Sequence, residues 1–186
     1  VDLKNIRDVK GISLKKTEGV IAIRSMTSLS EIAESAKVNK YFPLLVDAIN
    51  STNDPQYKNR ATIGGNIAYN DASSDVMAAL LVLNAVVNIT GNDGDKKVHV
   101  DSFIETTSEI IISVDIPLPS VGTRGSYLKY KNPANEDAVC GIAVLLEKSK
   151  EGIVSNCRIA ITGVSLRTSR LKKVEAALAG KVLSGE

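Results

Sequence analysis

The chain contains few of the residues from which metal sites and nucleophilic active sites are built. Among its 186 residues there is one histidine, His99, and there are two cysteines, Cys140 and Cys157, which form no Cys-X-X-Cys pair. A zinc site needs three or four suitable ligands, and a Ser-His-Asp or Cys-His triad would depend entirely on His99, which is predicted to be an exposed strand residue. We therefore expect no metal site and no catalytic acid, base or nucleophile in this chain.

The sequence also lacks long apolar runs and an excess of one charge. No apolar segment is long enough to span a bilayer, and 23 Lys and Arg residues face 21 Asp and Glu residues, a net charge of +2. We therefore expect no membrane span and no nucleic-acid partner. Both cysteines lie in apolar strand patterns, where a thiol behaves as a small hydrophobic group. A disulfide between neighbouring strands is one alternative, and the favoured one is a pair of reduced thiols in the cytoplasm.

The most informative feature that is present is the pair of glycines in Thr62-Ile63-Gly64-Gly65-Asn66. A Gly-Gly step can adopt positive φ and has no Cβ, so its backbone N–H groups can approach a bulky anion. Neither the spacing of a GxGxxG loop nor that of a P-loop is present. The residues alone therefore leave two interpretations open, an anion-binding loop and a structural turn.

The hydrophobic pattern predicts two α+β units. Ser28 with Glu31 forms a capping box, and Asp75 is predicted to cap a later helix. The first unit is predicted to contain a hairpin over 12–24, helices over 28–36, 39–49 and 75–83, a turn at 91–94, and strands over 85–90, 97–100 and 110–116. Two prolines and a glycine in 117–122 indicate a linker. Beyond it the pattern predicts strands over 125–131, 138–147 and 153–163 and a helix over 170–179 that stops at Gly180. The predicted domains are 1–119 and 120–186.

A longer pattern resembles one protein family. The segments 60–68, 73–75 and 79–85 resemble, in the family's order, the flavoprotein (medium) subunit of the molybdenum hydroxylases, which include carbon monoxide dehydrogenase and xanthine dehydrogenase. The resemblance continues through 109–114, 116–117, 127–129, 137–138 and 175–181, and so covers nearly the whole chain. It implies part of a vanillyl-alcohol-oxidase-like FAD-binding domain, followed by a βββα C-terminal domain.

The resemblance also implies a function. In this family FAD takes electrons from iron–sulfur clusters on a partner subunit and passes them to an external acceptor, while a molybdenum cofactor on a large subunit hydroxylates the substrate. A flavin suits this position because it accepts single electrons and releases pairs. The chain is thus expected to be an oxidoreductase subunit whose partners are an iron–sulfur subunit and a large molybdenum subunit.

By the same resemblance, nine residues are expected to bind FAD. The backbone N–H groups of the two glycines are expected to hold the pyrophosphate, Asp75 with Ser74 to lie near the ribose and adenine, and Ile111 and Lys129 to lie near the rings. Each expectation has a structural alternative: an N-cap for Asp75, an inward strand residue for Ile111 and an exposed lysine for Lys129. Tyr127 and Tyr130 either stack on the flavin or are ordinary strand residues. The nine residues are Thr62, Ile63, Gly64, Gly65, Asn66, Ser74, Asp75, Ile111 and Lys129.

One departure from the family concerns a second glycine loop. Relatives carry an Ala-Gly-Gly-Thr loop before the point that corresponds to Val1, and no Gly-Gly precedes Gly64 here. We expect on this basis a partial protein, clipped at both ends, that binds FAD weakly and purifies nearly colourless. Two rival interpretations are an FAD-free assembly fragment of the same subunit and a flavoenzyme like enolpyruvyl-UDP-N-acetylglucosamine reductase.

Overall fold

The computed structural model describes residues 3, 6, 8–103, 109–131 and 138–183. Asp137, which belongs to the resemblance, and the last three residues lie outside this part. The described strands are β1 (Ile12–Lys15), β2 (Val20–Arg24), β3 (Val86–Gly91), β4 (Gly94–His99), β5 (Glu109–Pro117), β6 (Arg124–Lys131), β7 (Ala138–Lys148), β8 (Val154–Thr162) and β9 (Ser169–Arg170). The described helices are α1 (Leu29–Glu34), α2 (Ala36–Tyr41), α3 (Pro43–Asn50), α4 (Pro55–Arg60), α5 (Ile63–Tyr69), α6 (Asp75–Val82) and α7 (Lys172–Leu178), with a 3₁₀ turn at Val100–Ser102.

The first sheet is antiparallel and has the strand order β1-β2-β5-β3-β4. Its inner face carries alternating β-branched residues, among them Ile21, Ile23, Val114 and Ile116, and all four are fully buried. This alternation is the period-2 pattern that half-buried strands require. The helices α1, α2, α3, α5 and α6 also contribute to this hydrophobic core.

The second sheet is antiparallel, with the order β6-β7-β8-β9, and it packs on helices of the first unit. On one face it contacts α3 and α6, and on the other α7 covers β8. All eight residues of α6 are buried, because other elements surround this helix. Gly125 in β6 shows how close the packing is: a Cβ there would lie 3.1 Å from the Cβ of Leu44 in α3. The two sheets therefore share one hydrophobic core.

Most predicted elements are confirmed. The hairpin β1–β2 is present, and the capping box is formed, with Ser28 accepting from the Glu31 N–H and Glu31 accepting from the Ser28 N–H. The segment 118–123 connects the two sheets. Helix α7 ends before Gly180, which has a φ of +75°. The α+β fold is thus the one that the sequence predicts.

Four local predictions are wrong. The helix predicted over 39–49 is two helices, α2 and α3, because Phe42 precedes Pro43 and leaves the helical region at φ −134° and ψ 55°. The Gly64–Gly65 segment is not a loop with positive φ but the first turn of α5. Asp75 is not an N-cap; Ser74 takes that position and accepts from the Met77 N–H. Arg170 belongs to β9, so α7 begins two residues later than predicted. Helix α4 had no predicted counterpart.

The two cysteines and the histidine lie at different places in the fold. Cys140 and Cys157 are both free thiols, and His99 is exposed at the end of β4. In the described part of the chain no group of His, Cys, Asp and Glu residues could hold a metal ion. The described helices are all too short or too polar to cross a membrane.

Candidate functional site

A cleft of about 730 Å³ lies among the helices of the first unit, where one strand of the second sheet, β6, reaches it. Its volume is in the range of small-molecule and cofactor sites. Helices α4 and α5 form one side, the segments before α4 and α6 form the floor, and β6 contributes a single residue. The lining residues used below are Thr52, Asp54, Tyr57, Arg60, Thr62, Gly65, Asn66, Tyr69, Asp71, Ser73, Ser74, Asp75 and Lys129.

One side of the cleft, which we call the helical wall, consists of Arg60, Thr62, Gly65 and Asn66. The last three residues are spaced i, i+3 and i+4 from Thr62 along α5, so they share one face of that helix. The Asn66 amide is held in place at both ends: its Nδ2 donates to the Tyr57 hydroxyl at 3.1 Å, and its Oδ1 accepts from Ser74 Oγ at 2.8 Å. The helical wall is thereby held by neighbouring helices at the surface of the cleft.

The backbone N–H groups at the start of α5 are already hydrogen-bonded. The N–H of Gly64 donates to the Ser25 carbonyl at 2.9 Å, and the N–H of Ile63 donates to the Thr27 carbonyl at 3.1 Å. The N–H of Gly65 donates to Thr62 Oγ1 at 3.1 Å, the N-cap bond of the helix. The expectation that these glycine N–H groups supply most of the anion binding therefore has no support in this geometry.

Glycine occupies positions 64 and 65 for different structural reasons. A Cβ at Gly64 would lie 2.6 Å from the Cβ of Ser25 and 2.9 Å from its carbonyl oxygen, so only glycine lets α5 sit this close to β2. A Cβ at Gly65 would meet only Thr62 Oγ1, at 3.1 Å, and would otherwise point into the open cleft. Gly64 thus serves the fold, whereas Gly65 leaves room in the cleft.

Another part of the lining, which we call the inner wall, consists of Asp75 and Lys129, and Tyr127 supports it without lining the cleft. The Asp75 carboxylate, on the first residue of α6, accepts from Lys129 Nζ at 2.7 Å and from the Tyr127 hydroxyl. It also accepts from Ser51 Oγ at 2.9 Å. The side chains of Asp75 and Lys129 are only 8% and 5% exposed. A buried carboxylate with this many donors is fully satisfied, which is the condition for burying a charge in a folded protein.

Tyr127 reaches Asp75 by passing over Gly141 in the neighbouring strand. A Cβ at Gly141 would overlap the Tyr127 hydroxyl and lie 2.7 Å from Thr162 Cγ2. Burial and the negative charge of Asp75 both raise the pKa of Tyr127, so its hydroxyl remains protonated and donates. The inner wall therefore depends on a glycine in β7 that does not itself line the cleft.

The structure brings six of the nine predicted site residues to the cleft. These are Thr62, Gly65, Asn66, Ser74, Asp75 and Lys129. Ile63 and Gly64 point into the core, and Ile111 is a buried strand residue of β5 opposite Ile89. Tyr130 is 71% exposed and does not line the cleft.

Other residues of the site were not predicted from the sequence. Tyr57, Arg60 and Tyr69 line the cleft, and Ser51 supports it from below. For Tyr69 a signal was available, because it follows Thr62 by seven residues and so lies on the same face once α5 is recognised as a helix. For Ser51 and Tyr57 no local pattern existed, since their roles depend on tertiary packing.

Comparison with known proteins gives one consistent result. Residues 1–119 match the family model described as the FAD binding domain in molybdopterin dehydrogenase, and residues 125–186 match the CO dehydrogenase flavoprotein C-terminal domain. Among relatives, a carbon monoxide dehydrogenase medium chain from Hydrogenophaga pseudoflava is 30% identical over the whole of this chain, and a xanthine dehydrogenase FAD-binding subunit from Escherichia coli O157:H7 is 26% identical over 86% of it.

The solved structures agree in fold. A carbon monoxide dehydrogenase chain from Hydrogenophaga pseudoflava superposes with a TM-score of 0.92 and 32% identity over 99% of this chain. The quinoline 2-oxidoreductase from Pseudomonas putida 86 superposes with a TM-score of 0.87. This chain spans 66% of the length of the Hydrogenophaga relative and 53% of the Escherichia coli one.

Proposed function

Because this chain belongs to the family of FAD-binding domains of molybdopterin dehydrogenases, we propose that it holds FAD in the cleft and transfers electrons within a molybdenum hydroxylase. The observation that carries the proposal is that six separately predicted residues meet in one cleft of suitable volume. We further propose, from the family resemblance and from relatives named as medium chains of larger enzymes, that its partners are an iron–sulfur subunit and a large molybdenum subunit, and that the complex lies in the cytoplasm.

The chemistry of the lining fits a dinucleotide. The cleft presents hydroxyl and amide groups from Thr62, Ser74 and Asn66, which can exchange hydrogen bonds with ribose and ribityl hydroxyls. The exposed rings of Tyr57 and Tyr69 offer flat apolar surfaces to a planar ring. The Asp75–Lys129 pair, whose two side chains are buried, contributes charged groups to the lining.

The residues of the chain have binding and positioning roles in this proposal. Bound FAD would supply the redox chemistry, accepting electrons singly and releasing them in pairs. Lys129 would place a positive charge beside the ligand, and Asp75 would hold that charge in one position through its 2.7 Å ion pair. No described side chain has to move a proton or attack a substrate, which agrees with the exposed position of His99.

The test is a titration of the chain with FAD, followed by flavin fluorescence. Gly65→Val places a branched side chain in the cleft and should reduce FAD affinity at least tenfold, about 1.4 kcal/mol, without loss of fold. Ala36→Val, which also introduces a valine but at an exposed position of α2, is the control and should bind as the parent does. Equal FAD binding by the parent and Gly65→Val would remove the assignment of the cleft.

The proposed partners are tested separately. When the chain is produced together with an iron–sulfur subunit and a large molybdenum subunit, all three should co-purify. Co-purification combined with a parent chain that binds no FAD would favour the second candidate, an FAD-free assembly fragment. Absence of both partners would contradict the proposed assembly whatever the titration shows.

A further inference from the structure

The charges that line the cleft are nearly all committed to partners within the protein. Lys129 is paired with Asp75. Asp54 caps α4, accepting from the N–H groups of Gln56 and Tyr57 at 2.8 and 3.1 Å.

The third acidic residue of the cleft is committed as well. Asp71 accepts from the Ser73 N–H at 2.7 Å and from its hydroxyl at 2.5 Å. Arg60 is the exception: it is exposed, it lines the cleft, and it makes no hydrogen bond or ion pair with any residue in the described part of the chain.

An anionic ligand would have few other donors in this cleft. The N–H groups of Ile63, Gly64 and Gly65 already donate within the protein. The lining contains three acidic side chains against two basic ones, so the cleft without Arg60 would repel a phosphate. A diphosphate that enters it needs a cation whose charge is not already neutralised.

From this we infer that Arg60 binds the pyrophosphate of the ligand and selects for phosphorylated flavins. The inference rests on the proposed function, because it takes FAD to be the ligand. A guanidinium can donate two parallel hydrogen bonds to a phosphate, and it stays charged at every relevant pH. Its position at the end of α4, two residues before the Thr62 N-cap, places it at the edge of the helical wall.

The alternative is that Arg60 stabilises the end of α4 at the surface and binds no ligand. Arg60 lies in the last turn of α4, where a cation interacts favourably with the helix dipole. Lys58 lies in the same turn, is also basic, and does not line the cleft. Lys58→Gln therefore reproduces the loss of a charge from this helix end without touching the proposed site.

The experiment compares the parent chain, Arg60→Gln, Arg60→Lys and Lys58→Gln with three ligands: FAD, ADP and riboflavin, which has no phosphate. Arg60→Gln should weaken FAD and ADP binding by about tenfold or more and leave riboflavin binding unchanged. The affinity of Arg60→Lys for FAD and ADP should lie between those of the parent and Arg60→Gln, because an ammonium keeps the charge but not the bidentate geometry. Lys58→Gln should bind all three ligands as the parent does.

The outcomes separate the inference from the proposed function. Equal FAD affinity in the parent and Arg60→Gln overturns the inference while the cleft assignment stands. The same holds if Arg60→Gln loses as much affinity for riboflavin as for FAD. A loss of FAD affinity in Lys58→Gln as large as that in Arg60→Gln also overturns it. A parent that binds ADP through Arg60 but does not bind FAD contradicts the proposed function and, with it, the selection for phosphorylated flavins. If the parent binds neither FAD nor ADP, both the inference and the proposed function are contradicted.

Discussion

The two walls of the cleft are built in different ways. The helical wall lies within positions 60–66. Its side chains are held by residues that are near in sequence, such as Thr62 with Gly65 and Asn66 with Ser74. The inner wall joins Asp75 to Lys129, 54 positions later in the chain, and both side chains are buried. Local contacts at the surface leave the helical wall independent of the fold, whereas the inner wall is part of the packing between the two sheets.

This difference predicts how the walls respond to substitution. A change in the helical wall should alter ligand binding and leave stability nearly unchanged, because surface substitutions usually have small effects. A change in the inner wall should alter stability first, since it leaves buried polar groups without partners. The predictions below test that contrast, in order of decreasing effect.

The largest effect is expected for Asp75→Ala. The substitution removes the acceptor from Tyr127 and Ser51 and leaves the Lys129 ammonium, 5% exposed, without its counter-charge. Breaking one side of a buried ion pair costs about 3–5 kcal/mol. Urea unfolding followed by circular dichroism should show a loss of this size.

The control for this substitution is a carboxylate with the opposite environment. Asp93 forms a surface ion pair with Lys96, and its side chain is 84% exposed. Asp93→Ala should change the free energy of unfolding by less than about 1 kcal/mol, because exposed pairs contribute little. Similar losses in Asp75→Ala and Asp93→Ala would contradict the distinction between the walls.

A second prediction divides adjacent residues of α5. Gly64→Ala forces a Cβ to within 2.6 Å of the Ser25 Cβ, and overpacking of this kind costs about 1–3 kcal/mol. Gly65→Ala meets only Thr62 Oγ1, so its stability should stay within about 1 kcal/mol of the parent's. Thermal unfolding of the two single variants measures both values. A larger loss in Gly65→Ala than in Gly64→Ala would show that the helical wall is not independent of the fold.

The two walls also differ in how far the sequence could predict them. The stretch from Thr62 to Asn66 was identified as a site from its residues and its resemblance, yet its conformation was mispredicted. A Gly-Gly pair disfavours helix on propensity alone, by about 1 kcal/mol per glycine. The Thr62 cap and the docking of Gly64 on Ser25 outweigh that preference, and docking is a tertiary contact that no local pattern shows.

The inner wall was predicted only in part, for a related reason. Asp75 and Lys129 were named from the resemblance, but the hydrogen bond of Tyr127 depends on the packing of β6 beside α6 and on the missing Cβ of Gly141. Assigning the N-cap to Asp75 was wrong because Ser74, one residue earlier, supplies the capping oxygen and leaves the Asp75 carboxylate free for Lys129. The alternation within each strand was predictable; the partner strand and helix of each residue were not.

The smallest expected effect concerns a half-buried ion pair outside the cleft, which tests whether burial alone gives the inner wall its weight. Glu175 of α7 accepts from Arg170 Nε at 3.0 Å and Nη2 at 2.7 Å, and from the Ile159 N–H at 2.8 Å. Burial raises the pKa of Glu175, but the hydrogen bonds from Arg170 and Ile159 outweigh it and leave that pKa below its usual value. A lowered pKa in the folded state means that this stabilisation is fully present above the unfolded pKa of about 4.3 and is lost as the pH falls through the folded value.

The difference in unfolding free energy between the parent and Glu175→Gln should therefore shrink as the pH is lowered from 7 to 3, and it should be smaller throughout than the loss in Asp75→Ala. Urea unfolding of both chains at each pH measures it. The control is Asp95→Asn, which removes an exposed carboxylate of β4. A pH-independent difference would show that the Arg170–Glu175 pair contributes packing and not charge.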